Sequence, residues 1–124
     1  MSTVINFVID AGSKFEGVAT IQNEDGTLFD LTGYDPFSQM RKSYYSERNV
    51  VEIQATIQGD PKNGEILLEL DPSVTANLPT LISNNWVYDI EANNLLDNTD
   101  IKRVCEGTIT VNPNATRSPE IVIP

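Results

Sequence analysis

The sequence contains no histidine, so its charged and thiol chemistry comes from 18 carboxylates, eight basic side chains and one cysteine, beside the hydroxyl and amide side chains. The commonest general base and the commonest metal ligand are therefore both missing. Asp97-Asn98-Thr99-Asp100, with Asn93 and Asn94 before it, offers hard oxygen ligands of the kind calcium takes. Its spacing lacks the glycine and closing glutamate of a calcium loop, so it is read as a solvated hairpin turn. Glu65, Glu69 and Asp71 are read as a solvent face. A glycosidase needs two carboxylates set apart by their surroundings, and nothing in the sequence selects two. Cys105 lies between Arg103 and Gly107. As the only cysteine it can form neither an internal disulfide nor a thiolate zinc cluster. With no histidine to activate it, it is expected to behave as a small buried hydrophobe. There is no Gly-x-Ser-x-Gly and no glycine-rich phosphate loop ending in Lys-Ser/Thr. The expectation is a non-enzymatic chain with no cofactor and no metal.

Two groups of side chains suggest binding instead. Arg41, Lys42, Tyr44 and Tyr45 form a basic-aromatic cluster. Such clusters can stack single-stranded bases, but two cations are a thin patch on a chain of net charge −10, and the cluster is read as a protein contact. Trp86 and Tyr88 share a strand face with Ile90 and are assigned to the core, with a carbohydrate platform as the alternative. A pI near 4.2 implies a field that repels phosphate backbones and anionic lipid, so neither nucleic acid nor membrane is an expected partner. No run approaches 18 apolar residues, and the N-terminus lacks a charged region ahead of an apolar one. Neither a transmembrane helix nor a signal peptide is therefore expected, and the Asn114-Ala115-Thr116 sequon is read as accidental.

The elements that must position these residues follow a period of two. Val4 to Ile9 reads as a first strand with Ile5, Phe7 and Ile9 on one face. Phe15, Gly17, Ala19 and Ile21 mark the inner face of a second. Thr32-Gly33-Tyr34-Asp35-Pro36 reads as a turn leading into a strand from Phe37 to Lys42, whose mixed polarity implies one wet face. Val51, Ile53, Ala55 and Ile57 alternate with polar residues. Asn63-Gly64 is a hairpin signal ahead of Ile66, Leu68 and Leu70. Asp71-Pro72 opens a helical turn or two, expected to pack Val74 and Leu78 inward. Trp86, Tyr88 and Ile90 define another strand, Asn93 to Asp100 a polar loop, and Ile101 to Val111 a long strand with Ile101, Arg103, Cys105, Gly107, Ile109 and Val111 on one side. At 124 residues and 13.7 kDa this is one domain. About seven strands with one short helix predict an all-β, antiparallel, immunoglobulin-like sandwich over residues 1–111, with a small barrel or jelly roll permitted by the same pattern. Residues 112–124 are read as an extended tail. Its three prolines oppose a central strand, and its apolar Ile121-Val122-Ile123 triplet suits pairing with an exposed sheet edge.

Several segments in order resemble a known family. They are Ile9-Asp10-Ala11-Gly12-Ser13 with Phe15, Asp30-Leu31-Thr32-Gly33-Tyr34, and Ser38-Gln39-Met40-Arg41-Lys42-Ser43-Tyr44. Gly64-Glu65-Ile66, Val87-Tyr88-Asp89-Ile90-Glu91 and Arg103-Val104-Cys105-Glu106-Gly107-Thr108-Ile109-Thr110-Val111 follow, then Pro113 and Thr116-Arg117. The series, spanning roughly residues 5 to 117, resembles small virion structural proteins of tailed bacteriophages, especially contractile-tailed phages of cyanobacteria. It is also similar to the N-terminal module of baseplate proteins that carry fibres. The resemblance implies a sandwich that binds other virion proteins or copies of itself on the tail or baseplate, with capsid decoration as the alternative. Arg41, Lys42, Tyr44, Tyr45, Ile121, Val122 and Ile123 are the expected contact residues.

Overall fold

The computed structural model describes residues 3–45, 50–78 and 85–113. Eight strands, β1 (Thr3–Val4), β2 (Phe7–Asp10), β3 (Phe15–Thr20), β4 (Tyr34–Arg41), β5 (Val51–Ile57), β6 (Glu65–Leu70), β7 (Asn85–Asn94) and β8 (Ile101–Asn112), accompany one helical turn, α1 (Pro72–Thr75). One layer runs β2–β8–β7–β4, with β1 also on β8; the other is β3–β6–β5. β5 joins them: Val51–Ile53 pair with β4, and Gln54–Ile57 pair with β6. A strand that changes sheets makes a sandwich corner. All neighbours are antiparallel except β1 and β2, which run parallel to β8. This is an all-β, immunoglobulin-like arrangement.

Alternation along the strands builds the core. Phe15, Ala19, Ile66, Leu68 and Leu70 face Ile9, Met40, Trp86, Tyr88 and Ile90, and all are buried. Each large aliphatic side chain removed from water contributes about 1.5–3 kcal/mol relative to exposure. Phe7 sits edge-on to Phe15 at 5.7 Å and tilted against Tyr88 at 5.6 Å, bridging the layers. Carbohydrate-facing exposure of Trp86 is excluded, because it is fully buried.

Several expectations need correction. The first strand is broken into β1 and β2 at Ile5–Asn6. Here the Ile5 N–H still bonds the Glu106 carbonyl at 3.0 Å, but Asn6 accepts the Thr108 N–H through its side chain. The third main strand begins at Tyr34, and Pro36 lies within it opposite Ala92. Proline is tolerated because β5 flanks β4 only from Ser38 to Met40, so no rung on that side is broken. In α1 it is Thr75, not Val74, that turns inward, together with Leu78. The Thr75 hydroxyl accepts the Gly12 N–H at 3.0 Å and donates to the Ser13 carbonyl at 2.8 Å. A single turn can bury i and i+3, and Thr75 and Leu78 are that pair. β7 continues to Asn94, deeper into the expected polar loop. The alternation of β8 changes hand where the β7–β8 register shifts: Cys105 opposes Ile90 and Arg103 opposes Glu91, leaving Val104 as the extra residue of a bulge. Val104 is therefore buried beside Cys105, while Ile101 and Arg103 are exposed.

Candidate functional site

Cys105, Glu65 and Glu69 are engaged within the fold, whereas Asp71 is exposed and its side chain makes no cap bond to α1. Cys105 is a free, buried thiol 3.4 Å from the Tyr88 hydroxyl, and burial pushes both groups above their usual titration ranges. Glu65 accepts from Gln58 at 3.0 Å, and Glu69 sits 3.5 Å from Lys14. Among the described residues no group of three or more His, Cys, Asp or Glu is placed to hold a metal ion, and no helix is long and apolar enough to cross a membrane.

The 97–100 segment is a hairpin turn. Asp97 Oδ1 accepts from the Thr99 N–H at 3.0 Å and its hydroxyl at 2.6 Å, and the Asp100 N–H returns to the Asp97 carbonyl at 3.1 Å. Asp100 gathers three donors: Lys102 Nζ at 2.7 Å, Asn94 Nδ2 at 3.0 Å and the Tyr34 hydroxyl at 2.9 Å. With Lys102 first among them, they hold its carboxyl at about 2. The network ties the head of β4 to the β7–β8 hairpin.

The basic-aromatic cluster lies at the opposite end of β4. Arg41, its last residue, is half-buried, with a guanidinium nitrogen 3.2 Å from Gln39 Oε1. Lys42 folds over the Trp86 ring, its Nζ 4.8 Å from the centroid, and burial holds its pKa below the usual lysine value. The stacking contact between Lys42 and Trp86 is invisible in the sequence, 44 residues apart. Among the described residues Trp86 Nε1 has no hydrogen-bond partner. Tyr44 and Tyr45 are 53% and 95% exposed. The structure thus keeps the two tyrosines in solvent and draws Lys42 onto the core. Ile121, Val122 and Ile123 lie outside the described residues.

At the other end of the sandwich the sequence marks only turns, and the structure brings them together. Three loops meet there: 21–33 between β3 and β4, 58–64 between β5 and β6, and 95–100. Backbone bonds join them, Ile21 N–H to Gly64 O at 2.8 Å, Leu31 N–H to Pro61 O at 3.0 Å, and Leu95 N–H to Gly33 O at 2.9 Å. Gly33 and Gly64 supply the positive φ these turns need. At the tip Leu95 is 69% and Leu96 96% exposed. The available signal was two adjacent leucines inside an Asn/Asp turn composition. Beside the loops an open groove of about 440 Å³ runs between Ile21–Glu24, Phe29 and Lys102–Val104. Its cations are engaged: Lys102 with Asp100, and Arg103 with Asp89 at 3.3 Å and Glu106 at 3.6 Å.

No protein-family model and no curated protein matches the chain. Among solved structures, it is similar to Tim-1 at 10% identity and a TM-score of 0.40, over 95% of this chain and 100% of that one. An internalin-like protein of Listeria monocytogenes is similar at 16% identity and a TM-score of 0.41, over 90% of this chain, which spans 28% of that protein. The extracellular domain of the voltage-gated sodium channel β4 subunit is similar at 12% identity and a TM-score of 0.37, over 92% of this chain and 95% of that one.

Proposed function

We propose that the chain is a non-enzymatic structural protein of a bacteriophage virion, a protein–protein adaptor on the tail or baseplate. The observation that carries this reading is the ordered motif series, together with where its residues fall. Leu31 is buried, Gly33 takes positive φ, Tyr88 pins the N-terminal strands and Gly107 admits them. The motifs are spent on a rigid scaffold, while large apolar side chains stay in solvent at both ends. That division suits a module that displays contact surfaces. The test is gradient-purified particles of the phage whose genome encodes the chain. Quantitative mass spectrometry should find it there at fixed stoichiometry, and gold-labelled antibody should decorate the tail. Labelling of the head instead supports capsid decoration, and absence from particles refutes the virion reading.

A carbohydrate-binding module is the second reading, favoured only by the exposure of Tyr44 and Tyr45. Glycan-array binding lost in Y44A/Y45A would establish it.

A further inference from the structure

We propose that the end of the sandwich formed by loops 21–33, 58–64 and 95–100 is a docking face for a basic partner protein, whose apolar pocket receives Leu95 and Leu96. The inference rests on the adaptor reading and narrows it to one surface and one partner chemistry.

Exposed leucines scattered singly need no explanation, but adjacent ones on a fixed turn do. The tip is held from several sides. The Leu95 N–H bonds Gly33 in the neighbouring loop, and the Leu96 N–H bonds Asn94 Oδ1 at 2.9 Å. Asp97 and Asp100 close the turn beneath them. The backbone is therefore set with both side chains in water, and docking has little loop entropy left to remove. Ile101, 54% exposed at the head of β8, extends the apolar surface along the hairpin base opposite Asn93.

Charge decides what kind of surface fits. The three loops carry Glu24, Asp25, Asp30, Asp60, Asp97 and Asp100, against Lys62 and, at the head of β8, Lys102. Apolar anchors on an end whose loops carry excess acid match a pocket bordered by lysine or arginine, and such complementarity steers encounter and rejects acidic competitors. A second copy of this chain, itself at −10, is the poorer match by the same rule.

The test uses particles of a phage lacking the gene, complemented with wild-type chain, with Leu95→Ser/Leu96→Ser or with Tyr45→Ser. Both leucines are exposed, so the double variant keeps its core, and an unchanged melting curve verifies this. Incorporation of the double variant should fall at least about tenfold, whereas Tyr45→Ser should incorporate normally. Zero-length carbodiimide cross-linking of wild-type particles should join loop carboxylates to lysines of a different virion protein. Normal incorporation of the double variant overturns the proposal. So do cross-links from this end to another copy of the chain, or from the Tyr45 end only. If wild-type chain is itself missing from particles, the adaptor reading fails, and that result is distinct from a defect confined to the variant.

Discussion

The Tyr88 hydroxyl donates a 2.6 Å hydrogen bond to the Ile5 carbonyl oxygen, reaching from β7 over Gly107 of β8 to the break between β1 and β2. One side chain thus spans three neighbouring strands. The bond satisfies a backbone acceptor at the point where parallel pairing is interrupted. Tyr88→Phe should cost about 1–3 kcal/mol by leaving that acceptor unmet. Hydrogen exchange at the Ile5 and Thr108 amides should accelerate more than exchange in β6. A loss below about 0.5 kcal/mol with unchanged exchange would show that the bond does not pin the N-terminal strands.

Gly107 is the complement of that contact. A Cβ on it would overlap the Ile5 carbonyl oxygen, whereas one on Gly26 would meet nothing within 4 Å and only its φ of +86° opposes it. Gly107→Ala should therefore cost about 1–3 kcal/mol through overpacking, and should displace β1. Gly26→Ala should cost about 1–2 kcal/mol through backbone strain alone and leave β1 protected. Comparing amide protection of β1 in the two variants separates the mechanisms.

Trp86→Ala should cost about 3–5 kcal/mol, the range for emptying a large aromatic site. Trp86→Phe should cost less than half as much, because it also removes an indole N–H that has no partner among the described residues. Denaturant melts of the two variants supply the comparison. A loss under about 1 kcal/mol for Trp86→Ala is incompatible with a core role.

Acid should loosen the β7–β8 hairpin. Asp100 titrates at about 2 in the folded chain, below the ordinary 3.8. Its contribution to stability is full above the unfolded value and is lost as pH falls through the folded one. Between about pH 4 and pH 2 the wild type should lose stability more steeply than Asp100→Asn. A carboxyl-carbon NMR titration of Asp100 with a midpoint near 4 would contradict the network.

Removing residues 118–124 distinguishes two roles for the C-terminal tail. An attachment device leaves the melting temperature unchanged while incorporation or self-association is lost. Unfolding of the truncated chain would instead make the tail the domain's own last strand.

The strands were legible because one wet face forces alternation: Phe15 to Ile21 and Val51 to Ile57 read directly. The bulge at Val104 was not legible. It is set by register between β7 and β8, and period-two reading carries parity straight through an inserted residue. Thr75 misled because its hydroxyl is satisfied by Gly12 and Ser13, partners more than 60 residues away. The exposed Leu95–Leu96 tip was not legible for a related reason. Polar composition marks a turn, but only the Leu95–Gly33 bond shows that this turn is braced by its neighbour.

The parallel pairing of β1 and β2 with β8 has a mechanical consequence. Thr3 lies opposite Cys105 near the loop end, and Asp10 lies opposite Asn112 at the far end. Tension applied between Thr3 and Asn112 therefore drags the first strands lengthwise along the last. Force is shared by all the rungs at once, and none can be peeled singly. The Tyr88 bond and the Asn6–Thr108 bond lie across that sliding direction and act as detents. A module strung in tension along this axis resists extension in its strongest geometry, while a pull across the sheet would open it rung by rung.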